Sequence, residues 1–175
     1  TCNGVSDDRV ITFTPAPVVN AGLNGTVCAN NPAITLAGSV SGATSGAWSG
    51  GAGTYAPNNT TLNAIYTPTA AERTAGSVTL TLTSTGNGTC NAVSDQELWT
   101  TTPAPTANAG ADQTLCANNA VATLAGSYTV ATGAVWSGGA GSFSPSTANM
   151  NATYTPTPTE IANGNVTLTL TTTGN

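Results

Sequence analysis

The chain repeats itself at a fixed spacing, and this feature constrains its fold more than any other. The strings TPAP at position 14, CANN at 28 and WSGGAG at 48 return unchanged at 102, 116 and 136, a spacing of 88 residues. YTPT at 66 and VTLTLT at 78 return at 154 and 166 with the same spacing. No insertion interrupts the correspondence, so we expect tandem domains of a single fold.

The repeat also includes the first residues, because TCN at position 1 returns at position 89. Five segments follow from this frame: the last strand of a preceding repeat (1–14), a linker (15–17), a complete repeat (18–100), a second linker (101–105) and a repeat without its last strand (106–175). We expect residues 1–14 to supply the kind of strand that the last segment lacks. The frame fits both an excerpt of a continuous array and a strand-exchanging subunit.

Alternation of residue types identifies the strands. Val78, Leu80 and Leu82 alternate with threonines, which is typical of a strand with one buried face. Ile34 and Leu36 show the same pattern, and Gly, Asn and Pro separate several such short segments. The sequence therefore predicts an all-β fold of tandem immunoglobulin-like Greek-key β-sandwiches. The final strand, near 10–13 and 98–101, is apolar on both parities, so its buried face is not predicted.

The shortage of charge and of catalytic side chains excludes several classes of function. Charged residues make up 5% of the chain, Arg9 and Arg73 are its only cations, and it contains no His. Nucleic acid is therefore not an expected partner, since phosphate needs clustered Lys or Arg. Without His or Lys, general-base and Schiff-base chemistry have no candidates, so we predict that the chain is not an enzyme. No apolar run is long enough to predict a membrane span.

The four cysteines lack the spacing of a zinc site, which favours disulfides and an extracellular, oxidising location. Cys28 precedes the Ile34 strand and Cys90 follows the Leu80 strand, so we predict an intradomain bridge between them. Under the same rule, Cys2 and Cys116 would pair with a neighbouring repeat or chain.

The aromatic residues divide into two groups. Trp48, Trp136, Tyr66 and Tyr154 occupy equivalent positions in both repeats, and we predict that they are core residues. If the tryptophans were exposed instead, a carbohydrate-binding module with a surface polysaccharide as ligand would be the alternative function. Trp99 and Tyr128 occur in one copy only, which makes them candidates for surface contacts.

No cofactor is predicted. Asp112 and the equivalent Asn24 suggest a Ca²⁺ site at a domain start, but such a site needs six or more oxygen ligands and usually several carboxylates. An Asx turn explains these residues with fewer assumptions.

The ordered motifs, including NAGADQTLC at 108, TLAGS at 123 and WSGG at 136, resemble the PKD-like repeats of giant Bacteroidota cell-surface adhesins involved in gliding motility. This resemblance implies a secreted, filamentous protein at the cell surface. We therefore expect a structural repeat segment of an adhesin, acting as a rod or spacer and as an adhesive surface. Its expected partners are neighbouring repeats in a filament or homopolymeric array.

Overall fold

The computed structural model describes residues 1–174 and divides into two compact units, Thr1–Thr102 (unit 1) and Pro103–Asn175 (unit 2). Both units are built almost wholly of short antiparallel strands, and each has its own hydrophobic core. The predicted all-β class is confirmed.

Unit 1 contains nine strands and one short helix. In chain order these are β1 (Val18–Asn20), β2 (Gly25–Cys28), β3 (Ile34–Thr35), β4 (Ser39–Ser41), β5 (Ser45–Ser49), β6 (Thr54–Ala56), β7 (Ile65–Thr67), α1 (Ala70–Ala75), β8 (Ser77–Thr85) and β9 (Ser94–Thr102). The strands form sheets in the order β2-β9-β8-β5, β3-β7-β6 and β1-β4. β9 continues two residues beyond the predicted end of the repeat at 100.

Alternation along β8 builds much of the core of unit 1. Val78, Leu80 and Leu82 are buried, while Thr79 between them is exposed. The opposing sheet contributes Ile34 and other buried residues to the same cluster. The period-two pattern thus sends one side of the strand into the sandwich.

Helix α1 follows from a local motif that the strand analysis overlooked. Thr69 caps the helix, and the Glu72 backbone N–H donates to the Thr69 hydroxyl while the Glu72 carboxylate accepts from the Thr69 N–H. This reciprocal arrangement is a capping box. Gly76 ends the helix with φ of 84°, a left-handed conformation that suits glycine.

Unit 2 repeats this architecture incompletely. Its elements are β10 (Thr106–Asn108), β11 (Ala122–Thr123), β12 (Ser127–Thr129), β13 (Gly133–Ser137), β14 (Ser142–Ser144), β15 (Thr153–Thr155), α2 (Pro158–Asn163) and β16 (Thr169–Thr173). The four-stranded sheet of unit 1 is reduced to the pair β13-β16. Among the described residues of unit 2, no strand corresponds to β2 or to β9, and β16 matches only the second half of β8.

Candidate functional site

Strand β9 lies inside the four-stranded sheet of unit 1, between β2 and β8. It pairs in parallel with β2 from Gly25↔Trp99 to Cys28↔Thr102 and antiparallel with β8. Its alternate residues face inward, namely Asp95, Glu97, Trp99 and Thr101, while their neighbours are exposed. The structure therefore shows which face of β9 is buried. The sequence did not predict this, because apolar residues occur on both faces of the strand.

Polar side chains fix the register of β9. The Ala21 backbone N–H donates to Asp95 Oδ2 at 2.9 Å, and the Leu98 backbone N–H donates to Asn24 Oδ1 at 2.7 Å. The Asn24 side chain therefore helps to hold β9 in the sheet. This structural role needs no metal.

Two inward residues of β9 fit the segment around β2 closely. The Trp99 ring lies directly over Gly25, where a β-carbon would collide with it. Glu97 is 2% exposed, its Oε1 has no hydrogen-bond partner, and its Oε2 lies close to Gly22. Burial raises the pKa of the Glu97 carboxyl; the nearby Trp99 indole opposes this effect, and Asp95 adds to it.

The equivalent place in unit 2 is an open groove with a volume of about 410 Å³. Val166 and Leu168 line it and are half-buried, whereas their equivalents in unit 1, Val78 and Leu80, are buried on β8, beside β9 in the same sheet. Leu115 also lines the groove and is 45% exposed.

A buried donor without an acceptor occurs in each unit. The Trp136 indole N–H is buried and has no hydrogen-bond partner, whereas its equivalent, Trp48, donates to the Leu62 carbonyl at 3.1 Å. In unit 1 the buried Trp99 indole N–H likewise has no partner. Such donors are uncommon in folded domains, but here they do not distinguish the two units.

The first fourteen residues expose several apolar side chains. Residues 1–14 form no strand and are exposed throughout. Val10, Ile11 and Phe13 are 89%, 69% and 87% exposed. These residues correspond to Leu98, Trp99 and Thr101 of β9 in the repeat.

The predicted disulfide bridge between Cys28 and Cys90 is wrong. Cys28 pairs in register with Thr102, the last residue of β9, whereas Cys90 lies four residues before Ser94, the first. At about 3.3 Å per residue, the length of β9 separates them by roughly 25 Å, and a disulfide needs Cα atoms within about 7 Å. The order of strands along the chain suggested proximity, but the parallel pairing of β2 with β9 places the two cysteines at opposite ends.

Each cysteine instead lies at a domain end. The Cys90 thiol lies 3.4 Å from the Thr14 hydroxyl and 3.7 Å from the Pro15 carbonyl. Cys2 and Cys116 are exposed thiols. Their pairing with a neighbouring repeat or chain stays a prediction.

The structure shows how deeply each of the aromatic residues singled out from the sequence is buried. Trp48, Trp136, Tyr66 and Tyr154 are all buried. Trp99 is partly buried against the core of unit 1, and Tyr128 is exposed on β12. Trp99 is thus an internal packing residue of unit 1.

A partly buried polar network that sequence reasoning missed occurs in both units. Tyr66 donates to Glu72 Oε1 at 2.7 Å and accepts from the Gly53 N–H at 2.8 Å. The same carboxylate oxygen accepts from the Ala52 N–H at 2.7 Å. The sequence signal for this network was the T-x-x-E motif, which occurs at positions 69 and 157.

This network shifts the pKa values of its members. Burial, reinforced by the hydrogen bond to Glu72, raises the pKa of Tyr66, and burial raises the pKa of Tyr55 to about 12. In unit 2, hydrogen bonds from the Thr157 and Ala140 backbone N–H groups lower the pKa of Glu160 to about 2. These carboxylates therefore act as ionised hydrogen-bond acceptors that tie a loop to a helix start.

Within residues 1–174, no three His, Cys, Asp or Glu side chains are grouped as metal ligands would be. The same part of the chain contains no helix with the length and apolar character needed to cross a membrane.

No family model matches the chain, and neither does any curated protein sequence. Among solved structures, the chain is similar to one described as protocadherin gamma B2 extracellular cadherin domains 3-6, with 12% sequence identity and a TM-score of 0.38. The match covers 90% of this chain and 46% of that structure, so the chain spans about half of its length.

Proposed function

We propose that this chain is a structural repeat segment of an extracellular filamentous surface adhesin, acting as a rod or spacer and as an adhesive surface. The observation that carries the proposal is that the elements common to the two units follow one order, at a spacing of 88 residues without an insertion. Repetition of one domain type, with its core aromatics and Tyr–Glu network, supports a role in extending a polymer.

The linkers support a limited range of motion between repeats. Thr-Pro-Ala-Pro precedes the first strand of each unit, at positions 14 and 102. Proline fixes its own φ and biases the preceding residue towards an extended conformation, so such a linker is semi-rigid. A semi-rigid connection suits a spacer.

The chemistry of the surface supports a role other than catalysis. Polar uncharged residues dominate the chain, and its carboxylates Glu72 and Glu160 are engaged by backbone N–H groups. The carbohydrate-binding alternative depended on exposed Trp48 and Trp136. Because both are buried, that alternative loses its main support.

Imaging tests the proposal. Antibodies raised against this chain should label the surface of intact cells that express the full-length protein, and negative-stain images of that protein should show rods or fibres. Compact isolated particles, or labelling only after the cells are broken, would contradict an extracellular filament.

A further inference from the structure

The turn between β6 and β7 carries an asparagine that the fold leaves open to reaction. Residues 56–60 of this region are all exposed. Asn58, Asn59 and Thr60 match the N-x-T acceptor pattern for N-linked sugars, which marks surface loops of secreted proteins. We propose that Asn58 is a glycosylation site, whose side-chain Nδ2 accepts a sugar activated as its diphosphate ester. This modification is separate from the proposed role as a spacer.

The hydrogen bonds of Asn58 favour this chemistry. Its Oδ1 accepts from the Thr60 backbone N–H at 3.0 Å, from the Thr60 hydroxyl at 2.8 Å and from the Thr61 hydroxyl at 3.1 Å. A carboxamide nitrogen is a weak nucleophile, because its lone pair is delocalised into the carbonyl group. Donors on Oδ1 stabilise negative charge on the carboxamide, so they ease the loss of a proton from Nδ2.

The Nδ2 of Asn58 is also unoccupied. Within residues 1–174 it donates to no other group, whereas two neighbouring motifs use this nitrogen in the fold. The Nδ2 of Asn59 donates to the Trp48 carbonyl at 2.9 Å. The Nδ2 of Asn87 donates to the Ser84 carbonyl at 3.3 Å. Asn58 therefore combines a bonded oxygen with an available nitrogen.

The remaining asparagines in N-x-T motifs lack the contact between the asparagine oxygen and the threonine hydroxyl. The Thr26 hydroxyl of the motif at 24 pairs with the Thr100 hydroxyl at 2.7 Å. The Thr153 hydroxyl of the motif at 151 donates to the Ser144 carbonyl at 3.4 Å. In the motif at 165, no bond joins the asparagine to its threonine among the described residues. The fold thus singles out Asn58.

The turn itself does not need the pair formed by Asn58 and Thr60. The equivalent residues of unit 2 are Ser146 and Ala148, which cannot make the same contact. In each unit the first residue of the turn nevertheless accepts at its carbonyl from the backbone N–H three residues later, at 3.4 Å in unit 1 and 3.3 Å in unit 2. The pair is therefore an addition to a turn that forms without it.

The transfer step balances with one co-reactant. Nδ2 of Asn58 forms a bond to the anomeric carbon of the sugar, and the bond from that carbon to the phosphate oxygen of the donor breaks. The diphosphate leaves with the bonding electrons, and the amide proton passes to a base of the transferase. The attached sugar adds hydrated bulk to a surface that carries little charge.

Enzymatic transfer to the folded full chain tests the site. The chain is incubated with UDP-glucose and a soluble N-glycosyltransferase specific for N-x-[ST], and peptide mapping identifies the modified asparagines. A short acceptor peptide confirms that the enzyme is active. Asn58 should react at least about tenfold faster than any other asparagine. Faster reaction at another asparagine, or reaction at none, would overturn the proposal.

A proteolytic digest of the chain separates the effect of the fold from that of the motif. The digest offers the same N-x-T motifs without the folded turn, so the advantage of Asn58 should fall to within about threefold of the other motifs. An undiminished advantage in the digest would show that the folded turn does not select Asn58.

Substitutions next to Asn58 provide matched variants. Thr60→Ala should lower the rate at Asn58 about a hundredfold or more, and Thr60→Ser should restore it to within about threefold, because serine keeps the hydroxyl donor. Thr61→Ala is the control, since it removes a neighbouring donor and leaves the motif intact, and the rate should stay within about threefold. Thermal unfolding checks that each variant folds. Equal losses in Thr60→Ala and Thr61→Ala would contradict the role given to Thr60.

Protein isolated from the cells that make it tests whether the site is used. Peptides that contain Asn58 should carry sugar, either as a single hexose from a nucleotide-linked donor or as a preassembled oligosaccharide from a lipid-linked one. Wholly unmodified Asn58 would overturn it as a natural site. This result is independent of whether the protein forms rods, so its failure is distinguishable from failure of the adhesin proposal.

Discussion

The Tyr66 phenol donates a 2.7 Å hydrogen bond to Glu72 Oε1, and the other carboxylate oxygen caps the helix that begins after Thr69. One carboxylate thus joins the core aromatic of β7, the start of α1 and the backbone of the glycine-rich turn. Tyr154 and Glu160 repeat the arrangement with a distance of 2.8 Å. The equivalence makes each unit an internal control for the other.

Removing the Tyr66 hydroxyl should destabilise unit 1. Tyr66→Phe leaves the Gly53 N–H without its acceptor, so we expect a loss of about 1–3 kcal/mol. Denaturant unfolding followed by hydrogen exchange of unit 1 peptides measures it. Tyr55→Phe is the control, because the Tyr55 hydroxyl donates to the exposed Gly50 carbonyl, and its loss should be smaller. Equal losses would contradict the network.

Acid should weaken unit 2 through Glu160. Because the pKa of Glu160 is lowered from 4.5 to about 2 in the folded state, its ionised form stabilises unit 2 above pH 4.5. This contribution is lost as the pH falls from 4.5 towards 2. Thermal unfolding between pH 7 and pH 2 should therefore show a steeper loss for the unsubstituted chain than for Glu160→Gln. Parallel curves would rule out this role.

Glu97 should show the opposite pH dependence. Burial raises its folded-state pKa, so its contribution to stability is fully present below about pH 4.5 and is lost as the pH rises through the folded-state pKa. Glu97→Gln should stabilise unit 1 at pH 7 and give no gain at pH 4. Calorimetry at the two pH values measures this difference.

Asp95→Asn gives the contrast for Glu97, on the same face of β9. Its carboxylate accepts from the Ala21 N–H, so this substitution should lower the stability at pH 7. A gain from Asp95→Asn equal to that from Glu97→Gln would indicate a general effect of net charge.

The fit of Trp99 over Gly25 should appear as coupling between the two positions. Gly25→Gln should destabilise unit 1 by about 1–3 kcal/mol, because its side chain enters the space of the indole. In the double variant with Trp99→Ile, part of that loss should be recovered because the smaller side chain leaves room for the glutamine, with a coupling of about 0.5–3 kcal/mol. Additive losses in a double-mutant cycle would show that the two positions are independent.

Alternation let the sequence predict several of the strands. Val78, Leu80 and Leu82 on β8 face the core as the period-two pattern requires, because successive side chains of a strand point to opposite faces. The helices were missed, since a six-residue helix is too short to show a period of 3.6 and is defined mainly by its caps. Thr69 and Glu72 carried that signal.

Sequence alone determined the repeat, the all-β class and the alternating core of each unit, because these depend on residue order and local periodicity. Only the tertiary structure decided which face of β9 is buried and where the cysteines lie. Cys28 and Cys90 follow each other plausibly along the chain, yet parallel pairing of β2 with β9 puts them at opposite ends of a strand. Which strands lie side by side, and in which direction, is set by non-local packing that periodicity does not encode.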